Sequence, residues 1–182
     1  MKKPFIILSV LAIVTIISVP VVFSDDDRRH YRQRSLGVAP VSSPLYKAEC
    51  SSCHMAYPAG LLPSASWRKL MNGLSSHFGD NAEIDGKERK LITEYLITNS
   101  AEYSEYRRSQ KIMKSLKDND VPLRISETPY IVKEHDELPE KMVKYNNKVN
   151  SLANCNACHL EAEKGIFDEH KINIPGFGRW HD

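Results

Sequence analysis

The sequence predicts a mainly α-helical protein made of two small domains. No stretch of any length shows the alternation of apolar and polar residues that is typical of a strand. Ser-Pro and Thr-Pro pairs at 43–44 and 128–129 are typical helix starts, with a capping hydroxyl followed by proline at the first helical position. A Cys-x-x-Cys-His motif occurs twice, at residues 50–54 and 155–159, so that each half of the chain holds one copy.

Both motifs have the pattern of a covalent c-type haem attachment site. Two cysteines three residues apart share one face of a helical turn, where their thiols can bond to two vinyl groups of one porphyrin. The histidine that follows can then serve as the proximal ligand of the iron. The four cysteines of the chain all fall within these motifs, which makes the candidate haem-binding residues Cys50, Cys53, His54, Cys155, Cys158 and His159.

Three other uses of paired cysteines fit the sequence less well. A zinc site of two Cys-x-x-Cys pairs has a much shorter separation than the 105 residues between Cys50 and Cys155. A thioredoxin-like redox pair does not need a histidine directly after its second cysteine. Two disulfides are the remaining alternative. We therefore predict two small haem-binding domains with two covalently bound haems c.

The chain is long enough for such an organisation. Two lysines precede the apolar residues 5–19, and Pro20 follows them, which is the pattern of a signal peptide and predicts export to the periplasm. An uncleaved membrane anchor is the alternative reading. The predicted divisions are a signal segment at 1–24, a flexible leader at 25–42, a first haem domain at 43–102, a charged connection at 103–122 and a second haem domain at 123–182.

The charge balance gives no indication of a nucleic-acid-binding role. Removal of residues 1–24 takes away two lysines, which leaves 25 − 2 = 23 Lys and Arg against 23 Asp and Glu. The connection is locally basic, and its lysines either dock an acidic redox partner or lie on a solvated helix between the domains.

The first domain is expected to hold three helices. Ser43 caps the first, which carries Cys50 and Cys53. Ser66 caps the second, at 67–78, with His77 on its apolar stripe. Asp85 begins the third, at 87–98, whose inner face is Leu91, Ile92, Tyr95 and Leu96. A haem motif on the first of three helices resembles a class I cytochrome c fold.

The second domain is expected to hold two helices before its motif. One spans 130–137 and carries His135, and the other spans about 140–152. The tail from residue 165 onward, rich in glycine and proline, is expected to be mostly loop.

The second axial position of each iron decides between electron transfer and ligand chemistry. For the first haem we favour His77 over Met71 and Met113. For the second, His135 is favoured but His170 and His181 stay open, because loop histidines can also be ligands. His30 is the other histidine outside the motifs.

The residues around both motifs resemble the bacterial dihaem cytochrome c family. The elements that carry this resemblance are Tyr-Pro-Ala-Gly-Leu-Leu-Pro at 57–63 and His-Phe-Gly at 77–79 in the first half, and Glu134-His135, Gly165 and Phe167 in the second. The resemblance implies that His54 pairs with His77 and His159 with His135. It also implies a small oxygen-binding c-type cytochrome or a membrane b-type cytochrome as redox partner.

The function that follows is an exported electron carrier and not an enzyme. It would take electrons from a membrane donor and pass them to a soluble haem protein or other acceptor. One alternative is a dihaem peroxidase or reductase with one open iron site, in which His170 or Glu169 would serve as acid and base. The other is a haem-based sensor, for which the sequence shows no effector domain.

Overall fold

The computed structural model describes residues 37–180, and this part of the chain is mainly helical, as predicted. The signal segment, most of the leader, His30 and His181 lie outside the described residues. None of the described helices is long and apolar enough to cross a membrane. The helices are α1 (Pro44–Cys50), α2 (Ser64–Asn72), α3 (Gly86–Thr98), α4 (Arg107–Ser115), α5 (Pro129–Lys133) and α6 (Cys155–Cys158). Two short antiparallel strands, β1 (Asn173–Ile174) and β2 (Gly178–Arg179), lie near the end of the described residues.

Helix α1 begins as predicted but is shorter than expected. The Ser43 hydroxyl accepts a hydrogen bond from the Tyr46 amide at 3.2 Å, and Pro44 occupies the first turn. The helix ends at Cys50, so the prediction that it also carries Cys53 is wrong. Serines 51 and 52 follow it, and serine favours turns over helix interiors because its hydroxyl competes for backbone hydrogen bonds. The rest of the motif therefore lies in a turn.

Helix α2 ends well before the predicted boundary at residue 78. It begins at Ser64, so Ser66 is not its cap but a fully buried residue inside it. Gly73, a poor helix former, terminates it. His77 consequently lies in a tight turn and not on a helix stripe: its amide donates to the Asp80 carbonyl at 2.8 Å, and the Asp80 amide donates back at 3.1 Å.

Helix α3 begins with the predicted cap. The Asp85 carboxylate accepts hydrogen bonds from the amides of Lys87 at 2.8 Å and Glu88 at 3.4 Å. Ile92 and Leu96 form its buried face, but Leu91 is 49% exposed, so its assignment to the inner face is wrong. The core around α1, α2 and α3 includes Tyr46, Leu62, Trp67, Met71, Ile92 and Leu96.

The predicted helix at 140–152 does not form. Only a single 3₁₀ turn, Glu140–Met142, is present there, and turns follow it. Asn146 explains the change, because its side-chain amide donates to the carbonyls of Met142 at 3.1 Å and Pro175 at 2.8 Å. Such side-chain bonds to the backbone compete with helix formation. The helix predicted for 130–137 is α5, which ends at Lys133.

The charged connection packs into the protein. Within it, α4 buries Ser109 and Ile112 completely and leaves Arg107 and Lys114 exposed. Ile112 belongs to a second core cluster whose other buried members come from distant segments: Val38, Leu61, Tyr130 and Ile131. Val38 lies at the end of the predicted leader, and its amide donates to the Gly165 carbonyl at 3.1 Å. This helix therefore contributes to the core.

Shortening Ile112 tests whether α4 is a structural element. In Ile112→Ala, the lost burial and the cavity left behind should lower the free energy of unfolding by about 2–5 kcal/mol. Lys114→Ala on the exposed face of the same helix should change it by no more than about 0.5 kcal/mol. Guanidinium unfolding of the haem-loaded proteins measures both. Equal values for the two variants would mean that α4 is a solvated linker.

Candidate functional site

Both Cys-x-x-Cys-His motifs open into one cavity of about 1010 Å³. Pockets for a single small ligand range from about 300 to 1,000 Å³, so this cavity has room at or beyond the upper end. The lining residues include all eight predicted haem-binding side chains: Cys50, Cys53, His54, His77, His135, Cys155, Cys158 and His159. The fold therefore brings both halves of the chain to one site.

The first histidine pair consists of His54 and His77. Their ring centres lie 6.2 Å apart, with 30° between the ring planes. The Nδ1 atom of His54 lies 2.7 Å from the Met55 carbonyl, so it donates a hydrogen bond and leaves the lone pair on Nε2. The Tyr57 ring stacks on His54 at 4.8 Å. Burial, with smaller contributions from His54 and Arg124, lowers the pKa of His77.

The second pair consists of His135 and His159, whose ring centres lie 6.1 Å apart with the planes at 79°. The Nδ1 atom of His135 donates to the Ile131 carbonyl at 2.7 Å. The Nδ1 atom of His159 is buried and finds no hydrogen-bond partner among residues 37–180. Burial, with smaller contributions from the nearby His135 and Arg108, lowers the pKa of His159 to about 4. The imidazole is therefore neutral at pH 7, which is the form that binds a metal.

The spacing of each pair fits one metal ion between two imidazoles. Metal–imidazole bonds are about 2 Å long and the ring centre lies about 1 Å behind the nitrogen, so two rings on opposite sides of one ion have centres about 6 Å apart. Among residues 37–180, no group of three or more His, Cys, Asp or Glu side chains is arranged to hold a metal. Two opposed donors suit an ion whose other four ligands come from a porphyrin. The residues present thus fit haem.

The cysteines do not fit the alternative roles. All four are free, so the two-disulfide reading is not realised. Burial raises the pKa of both Cys50 and Cys155 to about 11 and also raises that of Cys158. A raised pKa disfavours the thiolate, which is the form that attacks a disulfide in thiol exchange.

The rival axial ligands are placed less favourably. Met71 is buried and lines the cavity, but the ring of His77 is the group that faces His54. Met113 lies on α4 and does not line the cavity. The side chain of His170 is 80% exposed and is not among the residues that line the cavity.

The sequence model of the dihaem cytochrome c family matches residues 46–167. The chain belongs to the dihaem cytochrome c family. It is similar to the diheme cytochrome c from Shewanella baltica, with 45% identity and a TM-score of 0.62 over 76% of this chain and 97% of that one. A diheme cytochrome c structure from Rhodobacter sphaeroides is 44% identical, with a TM-score of 0.64 over 71% and 100% of the two chains. No curated protein matches the chain significantly.

Membership of the dihaem cytochrome c family confirms three of the predictions. The protein is a mainly helical, electron-transferring haem protein, and it carries two covalently bound haems c at its two Cys-x-x-Cys motifs. The structure adds residues that the sequence did not single out for the site. Tyr57 donates its hydroxyl to the Ala153 carbonyl at 2.7 Å, two residues before Cys155, and so connects the two motifs.

Removing one pair of cysteines tests the stoichiometry. The mass of the purified protein should exceed that of its polypeptide by two haems, and that of Cys155→Ala/Cys158→Ala by one. Mass spectrometry after acid–acetone treatment measures this, because only thioether-linked haem stays on the chain. Retention of two haems by the double variant would show that the second motif is not an attachment site.

Proposed function

We propose that the protein is an exported electron carrier in which His54 and His77 bind the first haem iron and His159 and His135 bind the second. The observation that carries this proposal is the presence of two imidazole pairs with ring centres 6.2 and 6.1 Å apart. With a histidine on each side of each iron, small ligands such as peroxide find no open position. Haem supplies reversible one-electron chemistry when it is bound.

The chain holds one histidine of each pair in a fixed orientation. Hydrogen bonds from His54 to the Met55 carbonyl and from His135 to the Ile131 carbonyl set the tautomer and the ring direction. Such partners of a ligating histidine also raise its basicity toward the metal. Ligands that are fixed in this way need to move little when an electron arrives or leaves. Histidine on both faces also keeps the potentials lower than a His/Met pair would.

Electron exchange inside the molecule is supported by the closeness of the two sites. Both histidine pairs line one cavity. Tyr57 stacks on His54 and donates to the Ala153 carbonyl, which fixes the first motif against the second. An electron that enters at one haem therefore has a short route to the other.

The proposed setting is the periplasm. The signal-like residues 1–24 and the two covalent haems support export. A membrane b-type cytochrome is the proposed donor and a small oxygen-binding c-type cytochrome the proposed acceptor, on the strength of the family resemblance. The outward basic residues of α4, among them Arg107 and Lys114, offer a surface for an acidic partner.

A dihaem peroxidase or reductase is the competing function, and it needs one iron with an open face beside an acid–base residue. The exposed position of His170 gives that reading little support. Glu169 lies on the cavity lining, so the experiment below includes carbon monoxide as a test for an open iron.

Removing one proposed ligand at a time tests the ligation. His77→Ala and His135→Ala should each convert one of the two haems from low spin to high spin. After reduction, each variant should bind one carbon monoxide, and the wild type should bind none. Absorption and electron paramagnetic resonance spectra measure these changes.

His170→Ala is the matched control, because it removes an exposed histidine that does not line the cavity. Its spectra should equal those of the wild type. Carbon monoxide binding by the reduced wild type at one haem would favour the peroxidase reading. A high-spin signal in the His170 variant, with none in His135→Ala, would make His170 the ligand.

A further inference from the structure

Each histidine pair has a phenylalanine and an arginine beside it. At the second site, the Phe167 ring lies 5.4 Å from the His159 ring, and the guanidinium carbon of Arg108 lies 5.6 Å from the Phe167 ring. At the first site, the Phe78 ring lies 4.8 Å from the His77 ring. The guanidinium carbon of Arg124 lies 4.0 Å from the centre of the Phe78 ring. Both irons would thus have one cation behind one aromatic ring.

The two cations differ in how firmly they are held. Arg108 donates to the Tyr130 hydroxyl and the Phe167 carbonyl, both at 2.9 Å, and its guanidinium lies over both rings. Its side chain is 21% exposed and its Nε atom is buried. The charge is therefore fixed in a region with little water, where charges act over longer distances.

Arg124 sits in the opposite environment. Its side chain is 45% exposed, and its Nε atom lies 3.4 Å from the Glu127 carboxylate. Asp80 lies in the same turn as His77, and the backbones of the two residues exchange hydrogen bonds of 2.8 and 3.1 Å. Solvent and two carboxylates therefore weaken its charge as felt at the first site.

One carboxylate also lies near Arg108. Glu134 is 3.8 Å from its Nη1 atom, but its side chain is 36% exposed, and it accepts a hydrogen bond from the Tyr130 hydroxyl at 2.9 Å. Arg108 is the less exposed member of this ion pair, at 21% against 36%, so solvent screens the Glu134 charge more strongly than the Arg108 charge.

We propose that Arg108 is a fixed positive charge that raises the reduction potential of the second haem, while Arg124 has a much smaller effect on the first. An iron–porphyrin centre with two neutral imidazoles has a net charge of +1 when ferric and zero when ferrous. A nearby cation repels the ferric form, so it favours the gain of one electron. This inference rests on the proposed ligation of the second iron by His159.

The distances allow an estimate of the effect. The guanidinium carbon of Arg108 and the His159 ring centre are at most about 11 Å apart, because Phe167 lies between them. A unit charge about 10 Å away in a medium of effective dielectric constant about 20 changes a one-electron equilibrium by roughly tenfold. For one electron, a tenfold change corresponds to about 59 mV.

The test is a redox titration of the haem-loaded protein in which each haem is followed by its own nuclear magnetic resonance signals. Signals are assigned through contacts with Phe78 or Phe167 protons. In Arg108→Gln, the midpoint potential of the second haem should fall by about 59 mV, which is a tenfold change in its one-electron equilibrium constant. The midpoint potential of the first haem should not change. Arg108→Lys keeps the charge and should retain most of the wild-type midpoint. Arg124→Gln is the matched control, and it should change the one-electron equilibrium constant of the first haem by less than threefold.

Glu134→Gln supplies a second variant that does not depend on the folding of Arg108→Gln. Removing this partly exposed carboxylate leaves the Arg108 charge less compensated, so the second midpoint should rise. An unchanged second midpoint in either variant would overturn the proposal, as would an equal fall in Arg108→Gln and Arg108→Lys. Low-spin spectra in every variant keep this outcome separate from a failure of the proposed ligation.

Discussion

The surrounding structure holds two pairs of imidazole rings at nearly the same separation, 6.2 Å in one pair and 6.1 Å in the other. In each pair, the two histidines come from parts of the chain more than 20 residues apart. The turn at His77 and the short helix α5 below His135 bring the second ring of each pair back to its motif.

The same arrangement explains why the fold has a cavity at its centre. The described chain of 37–180 is small, and its helices surround about 1010 Å³ of space lined by apolar side chains as well as the motifs. Each haem motif has only about half of these residues around it, and domains of fewer than about 70–80 residues usually need disulfides, metals or other cross-links to be stable. A covalently bound porphyrin supplies both a cross-link and an apolar surface to pack against. Folding and haem attachment are therefore expected to stabilise each other.

The local patterns in the sequence were sufficient for part of this structure. The haem motifs, the cap of α1 and the cap of α3 each depend on residues within one turn of each other. The turn at His77 was missed because the apolar spacing continued past Gly73, and the helix at 140–152 because Asn146 bonds to the distant Pro175 carbonyl. The partly buried position of Arg108 was also missed. Its place in a charged run suggested solvent, whereas its contacts with Tyr130 and Phe167 are set by tertiary structure.

The two sites are built from the same kinds of side chain, but their environments differ. The rings of the first pair are 30° from parallel and those of the second 79°, and only the second has a cation held away from water. An electron has no preferred position between two identical haem sites. The direction of electron transfer must then be set by the redox partners. A difference in local charge gives the electron a preferred site within the carrier itself. If the proposals above hold, the Tyr57 hydrogen bond keeps the two sites close enough to exchange electrons, and the unequal burial of Arg108 and Arg124 gives the two haems different potentials.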